Sequence, residues 1–135
     1  EISISIEISK DLNNSDQKTL EINTINNSDG SKISNVTYFL KILKDDEIIL
    51  ADFFYVEGET FVLDIISNDS NSVDVFGERK YDHNALIANP NSPIKISGPI
   101  LHDNEAYEFN IELRTIYDPS NWVFVLDDFH VEIVL

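Results

Sequence analysis

The first ten residues alternate apolar and polar side chains with a period of two. Ile2, Ile4, Ile6 and Ile8 lie on one side, and Ser3, Ser5, Glu7 and Ser9 on the other. Only an extended strand, whose successive side chains point to opposite faces, sorts such a pattern into one buried and one solvated face. The chain closes in the same way, with Phe129, Val131, Ile133 and Leu135 sharing a face. A chain that opens and closes inside strands is either a domain cut from a longer polypeptide or a subunit whose terminal strands pair with something. The row Ile2, Ile4, Ile6, Ile8 carries no Pro or inward Lys to block edge pairing, so it is expected to be covered, in its own sheet or by a neighbour.

The same period recurs through the interior. Leu20 and Ile22 alternate with Glu21 and Asn23. Val36, Tyr38, Leu40 and Ile42 form a second row, Phe61, Leu63 and Ile65 a third, and Tyr107, Phe109, Ile111 and Leu113 a fourth. Ile48, Leu50 and Phe54 are expected to share a face, with Phe53 and Tyr55 opposite. Asx- and Gly-rich turns separate these rows, at Asn13–Asp16, Asn26–Gly30, Lys44–Asp46, Glu57–Gly58 and Asp118–Asn121. No window has a helical period, and helix content is expected to be near zero beyond one turn around Tyr81–Ile87. The reading is a single all-β domain over residues 1–135: an antiparallel β-sandwich of about eight or nine strands, Ig-like or fibronectin-like. The stretch from Gly77 to Pro99 breaks the rhythm. It holds three of the four Pro and reads as a long irregular connection, with a short edge strand at Lys95 and Ile96.

Charge narrows the partners. The chain has 25 acids against 9 Lys and Arg, a net charge of −16. Nucleic acid and anionic membrane surfaces would repel it, and no apolar run is long enough to span a bilayer. With neither Cys nor Met, disulfides, zinc–thiolate sites, thiol catalysis and blue-copper ligation are excluded. No Gly-x-Ser-x-Gly elbow supplies a nucleophile, and the expectation is a protein without enzymatic activity. The start lacks a basic region followed by an apolar block, as expected of a processed mature chain. Four Asn-x-Ser/Thr acceptors, at Asn13, Asn26, Asn35 and Asn68, point toward an extracellular protein.

Three candidate sites emerge. Asp69, Asn71 and Asp74 belong to an oxygen-rich loop suited to calcium, which takes six to eight oxygen ligands; otherwise no cofactor is expected. The three histidines, His83, His102 and His130, each stand beside or near an acid but far apart in sequence, and read as surface residues. Arg79 and Lys80, two of the nine bases, form the natural docking point for an acidic patch such as Asp127-Asp128 of a neighbouring copy. Leu86, Ile87 and Ile94 would supply the apolar part of that contact.

The segments Gly77-Glu78, Gly98-Pro99-Ile100, Tyr107-Glu108-Phe109-Asn110-Ile111-Glu112-Leu113 and Thr115-Ile116-Tyr117-Asp118, with Asn35-Val36-Thr37-Tyr38 and Lys44-Asp45 before them, resemble secreted β-sandwich domains of ammonia-oxidising archaea. The resemblance covers residues 33–118. It implies an exported Ig-like or cupredoxin-like sandwich in the cell envelope or on a surface assembly, without the type 1 copper, for which this chain lacks ligands. The expected role is a structural subunit of an extracellular filament, surface layer or envelope complex, partnered by other copies or envelope proteins. The alternative is a ligand- or metal-binding exported module attached to a larger envelope complex.

Overall fold

The computed structural model describes all residues from Glu1 to Leu135. Eleven strands, rather than eight or nine, follow in the order β1 (Ile2–Lys10), β2 (Gln17–Asn26), β3 (Val36–Lys44), β4 (Glu47–Val56), β5 (Thr60–Ser67), β6 (Asp74–Phe76), β7 (Arg79–Lys80), β8 (Ala85–Ala88), β9 (Ile94–Gly98), β10 (Ala106–Ile116) and β11 (Asp127–Val134). The only helical element is a single 3-10 turn at Pro119–Asn121, capped by the Asp118 side chain, and no helix is long and apolar enough to cross a membrane. The strands form a β-sandwich. One sheet has the order β1-β2-β5-β9-β6 and the other β11-β10-β3-β4-β8-β7.

The alternating rows build the core. From the first sheet, Leu20, Ile22, Phe61, Leu63, Ile65, Ile94 and Ile96 face inward. They meet Val36, Tyr38, Leu40, Ile42, Phe54, Leu86, Tyr107, Phe109, Ile111 and Leu113 of the second, all buried in one cluster. Tyr38 stacks on Phe61 with ring centroids 5.3 Å apart. Its hydroxyl shares a 2.6 Å hydrogen bond with Thr24 Oγ1 on the opposite sheet, which satisfies the one polar atom that burying a Tyr leaves over. Burial pushes the Tyr38 phenol up to about 12, against the opposing effect of that hydrogen bond.

The Gly77–Pro99 stretch is not a loop. It carries β7, β8 and the whole of β9, and β8 is buried throughout. Two of its pairings are parallel, β4 with β8 and β5 with β9, so both sheets are mixed. Ile94–Gly98 is not an edge strand either, because β9 lies between β5 and β6. Leu86, Ile87 and Ile94 are buried in their own molecule and offer nothing apolar to a partner.

The shared face expected of Ile48, Leu50 and Phe54 holds for Leu50 and Phe54, both buried in the core, and fails at Ile48. Leu43 pairs with Ile48 and Ile42 with Leu50, leaving Ile49 as an extra residue in β4. The bulge shifts the alternation: Ile49 packs on the core, whereas Ile48 is 53% exposed.

The sandwich is closed on one side and open on the other. Between β6, the edge of one sheet, and β7, the edge of the other, only Gly77 and Glu78 intervene, so the chain itself laces that side. On the other side β1 and β11 end their sheets without a covalent link between them.

Gly98 marks a tight passage. It has φ +147°, and a Cβ there would lie 2.6 Å from the Ser72 carbonyl oxygen and 2.7 Å from Val73 Cα. Gly30 also has positive φ, but nothing lies within 4 Å of its would-be Cβ. Gly98→Ala is therefore expected to destabilise by roughly 2–4 kcal/mol, combining backbone strain with a clash against main chain. Gly30→Ala should cost about 1–2 kcal/mol, the left-handed penalty alone. Urea denaturation of both variants checks the difference; equal losses would contradict the close approach at Gly98.

Candidate functional site

Two surfaces stand apart from the rest. The first is the open seam. Ile4, Ile6 and Ile8 of β1 and Val131, Ile133, Val134 and Leu135 at the end of the chain line a single groove of about 350 Å³ without one polar side chain. Antiparallel pairing of β1 with β2 is in register from Ile2↔Asn26 to Lys10↔Lys18, which turns the Ile row inward. With no strand on its other side, that row stays only half-buried. β11 pairs with β10 alone, and Val134 is 70% exposed. Two strand edges with unpaired main-chain groups thus frame a shared apolar floor. The flanking charges are mostly acidic: Glu1 and Glu7 on one side, Asp127, Asp128 and Glu132 on the other.

The second is an aromatic cluster on the outer face of the six-stranded sheet. Phe39 and Phe53 pack there at 4.7 Å, joined by Tyr55. The imidazole of His83 stacks against Trp122 at 5.4 Å and Tyr81 at 6.1 Å, with planes 18° and 14° apart, and meets Phe53 edge-on at 5.4 Å. Arg114 pins the Trp122 loop to this face. It is the extra residue where the β10–β3 register shifts between Leu113 and Thr115, and such a bulge redirects a side chain. Its guanidinium lies 5.6 Å from the Phe39 centroid and 5.3 Å from that of Phe53. It also donates to the Trp122 carbonyl at 3.0 Å and, through Nη2, to Glu112 at 2.7 Å. Beyond Trp122 the run Val123-Phe124-Val125-Leu126 lies exposed, Phe124 by 67%.

The cluster holds costly features. His83 is 8% exposed, and neither ring nitrogen has a hydrogen-bond partner. A buried polar group without a partner costs about 1–3 kcal/mol. Tyr81 and Tyr117 both have φ +69°, a left-handed conformation that is uncommon for bulky residues and costs on the order of 1–3 kcal/mol. Both tyrosines touch Tyr55: Tyr81 through its ring at 5.4 Å, and Tyr117 through its carbonyl, which accepts from the Tyr55 hydroxyl at 3.1 Å.

The sequence-derived candidates separate in space. Ile2, Ile4, Ile6 and Ile8 border the seam. Arg79 and Lys80 sit in β7, at the opposite edge of the other sheet. Arg79 is already held by a bidentate pair with Asp52, at 3.0 and 2.7 Å, and by the Asn84 carbonyl. Lys80 lies 3.8 Å from Glu78.

In the proposed calcium loop, Asp69 is fully exposed, 3.9 Å from His102 Nε2, and Asp74 accepts from Ser72 Oγ at 3.4 Å. Nowhere do three His, Asp or Glu side chains converge as a metal-holding group. Asn13 and Asn68 are exposed in turns, and Asn26 ends β2. Asn35, at φ +58°, accepts from the Gly58 amide through its side chain. Of the three histidines read as surface residues, His83 is buried. Its neighbours in sequence gave no sign of this, because Tyr81 and Trp122 meet across it only in the folded chain. Phe53 and Tyr55 were the available signal, as aromatics on the strand face opposite the core.

The chain matches no family model, no curated protein and no solved structure.

Burial pushes the His83 imidazole below its ordinary range, and Asp82 only partly offsets this. A histidine with a depressed folded value takes up its proton more readily when unfolded. Stability is therefore level above about pH 6.5 and falls as pH drops through that value toward the folded one. His83→Phe keeps a ring in the stack without the imidazole nitrogens, and should remove this fall. Melting temperatures between pH 8 and pH 5 test it; an unchanged slope in the variant would reject His83 as its source.

Proposed function

We propose that the protein is a non-enzymatic structural subunit of an extracellular assembly, joined to neighbouring copies by strand addition along the seam between β1 and β11. The observation that carries this reading is the groove itself, where seven apolar side chains lie between two unpaired strand edges. Proteins ordinarily protect such edges with inward charges, Pro or a covering loop. Here the edges lie on either side of an apolar floor, the arrangement in which an added strand gains main-chain hydrogen bonds and side-chain burial together. The four glycosylation acceptors and the resemblance to secreted archaeal sandwich domains support export to a filament, surface layer or envelope complex.

Charge sets the conditions. Edges rich in Glu and Asp repel a second copy, so salt should favour the contact by screening. Light scattering and electron microscopy are expected to show larger particles as protein concentration and NaCl rise. Val134→Asp and Val131→Asp replace exposed residues of the groove and should leave the monomer folded while blocking assembly. Ile6→Asp, in a half-buried row, should also lower stability by roughly 1.5–3 kcal/mol. A protein that stays monomeric at high concentration in both low and high salt would overturn this function.

A further inference from the structure

The aromatic cluster opens onto a cleft independent of the seam. The Tyr81-Asp82 turn forms one wall, and Asp118, Pro119, Ser120 and Trp122 form the other, around a volume of about 290 Å³. That is at the small end of ligand sites and suits one compact group.

Four observations define the group. The walls are mainly two aromatic rings and a proline. The only charged residues are two acids, Asp82 and Asp118, on opposite sides, in a molecule of net charge −16. Asp118 already accepts from the Ser120 amide, which holds its carboxyl below the usual range and keeps it ionised. And the same cluster already seats one cation, the Arg114 guanidinium, over Phe39 and Phe53.

An anion would be repelled, and a hydroxyl-rich ring would find few free hydrogen-bonding partners. A primary ammonium needs three acceptors, and of the two carboxylates one is partly committed. A methylated ammonium needs none: it is held by aromatic faces and nearby negative charge. Tyr81 and Tyr117 in left-handed backbone, and His83 without partners, are the kind of strain that concentrates at functional positions. Burial disfavours the charged form of the His83 imidazole, which limits the opposing charge beside the cleft.

We propose that this cleft binds a small organic cation of the trimethylammonium type, held against the parts of Tyr81 and Trp122 that His83 leaves open and facing Asp82 and Asp118. Trp122 is the only tryptophan, so its fluorescence reports on the cleft directly. Choline chloride, against NaCl at equal ionic strength, is expected to change Trp122 emission saturably, with a midpoint on the order of 1–10 mM. The neutral isostere 3,3-dimethylbutan-1-ol should bind at least about tenfold more weakly, since it keeps the shape and loses the cation–π term. Tyr81→Ala removes a half-exposed wall. It should weaken choline binding by about tenfold with the circular dichroism spectrum unchanged, and Asp82→Asn should weaken it by a smaller factor.

The exposed Val123–Leu126 run beside Trp122 makes a lipid headgroup one source of such a cation. Flotation with phosphatidylcholine vesicles, in addition to choline binding, identifies that source. Choline binding without flotation identifies a free solute. No saturable change up to about 100 mM choline, a range covering even weak sites, would overturn the proposal. So would equal binding of the isostere, or a response to cellohexaose in place of choline. Assembly along the seam is read separately by particle size, so the two proposals fail independently.

Discussion

The contact on which the molecule depends is the one between the two sheets at Tyr38. Its ring stacks on Phe61, which also packs against Phe54 at 5.0 Å, while its hydroxyl reaches Thr24. The three aromatic rings come from β3, β4 and β5, central strands of their sheets, and each lies on the inward side that the period-two pattern creates. Burying an aromatic ring contributes most when every polar atom it carries is satisfied. Deeper toward one end, Tyr107 repeats the solution, accepting from the His102 amide and donating to Glu105. Apolar area drives the sheets together, and these few directed bonds fix how they sit.

The rest of the architecture follows from how the two sheets are joined at their margins. Where β6 runs into β7 through Gly77 and Glu78, the backbone closes the core. Between β1 and β11 only side chains do so, and they do it incompletely. The outer face of the larger sheet has the opposite character. There Phe39, Phe53 and Tyr55 occupy outward positions, and the chain covers them with Trp122, His83 and Arg114 rather than leaving them to water. One surface is apolar because the two edge strands leave the core open between them, the other because the chain has built a second small core around a buried histidine.

Much of this was legible in the residues. The Ile row of β1 and the alternation of β10 specify strands with one buried face, and both emerge with the expected residues inward. What escaped was set at long range. Ala85–Ala88 is too short an apolar run to separate strand from helix or loop by periodicity, and its parallel partner β4 lies far back in the chain. The bulge at Ile49 cannot be seen in a pattern that counts every second residue. His83 looks like a surface residue because its burial is supplied by Tyr81 and Trp122, whose approach is settled by the Arg114 bulge. The Ile row itself was clear, whereas its meeting with Val131 and Ile133 in one groove depends on where the two sheets end.

The parallel pairings also bear on how the chain reaches this state. β8 cannot dock until β4 is in place, and β9 must find β5 across the β6–β8 excursion. Thr37 and Thr115, which share a buried 2.6 Å hydrogen bond, are 78 residues apart. Neighbouring-strand hairpins such as β1–β2 and β3–β4 close short loops early, but the sheets are completed only by contacts of high sequence separation, which place such topologies among slow folders. During that interval the Ile row of β1 stands on a hairpin with no opposing sheet behind it. The acidity of the chain then has a kinetic use, since mutual repulsion between unfinished molecules keeps those exposed rows apart until β10 and β11 arrive.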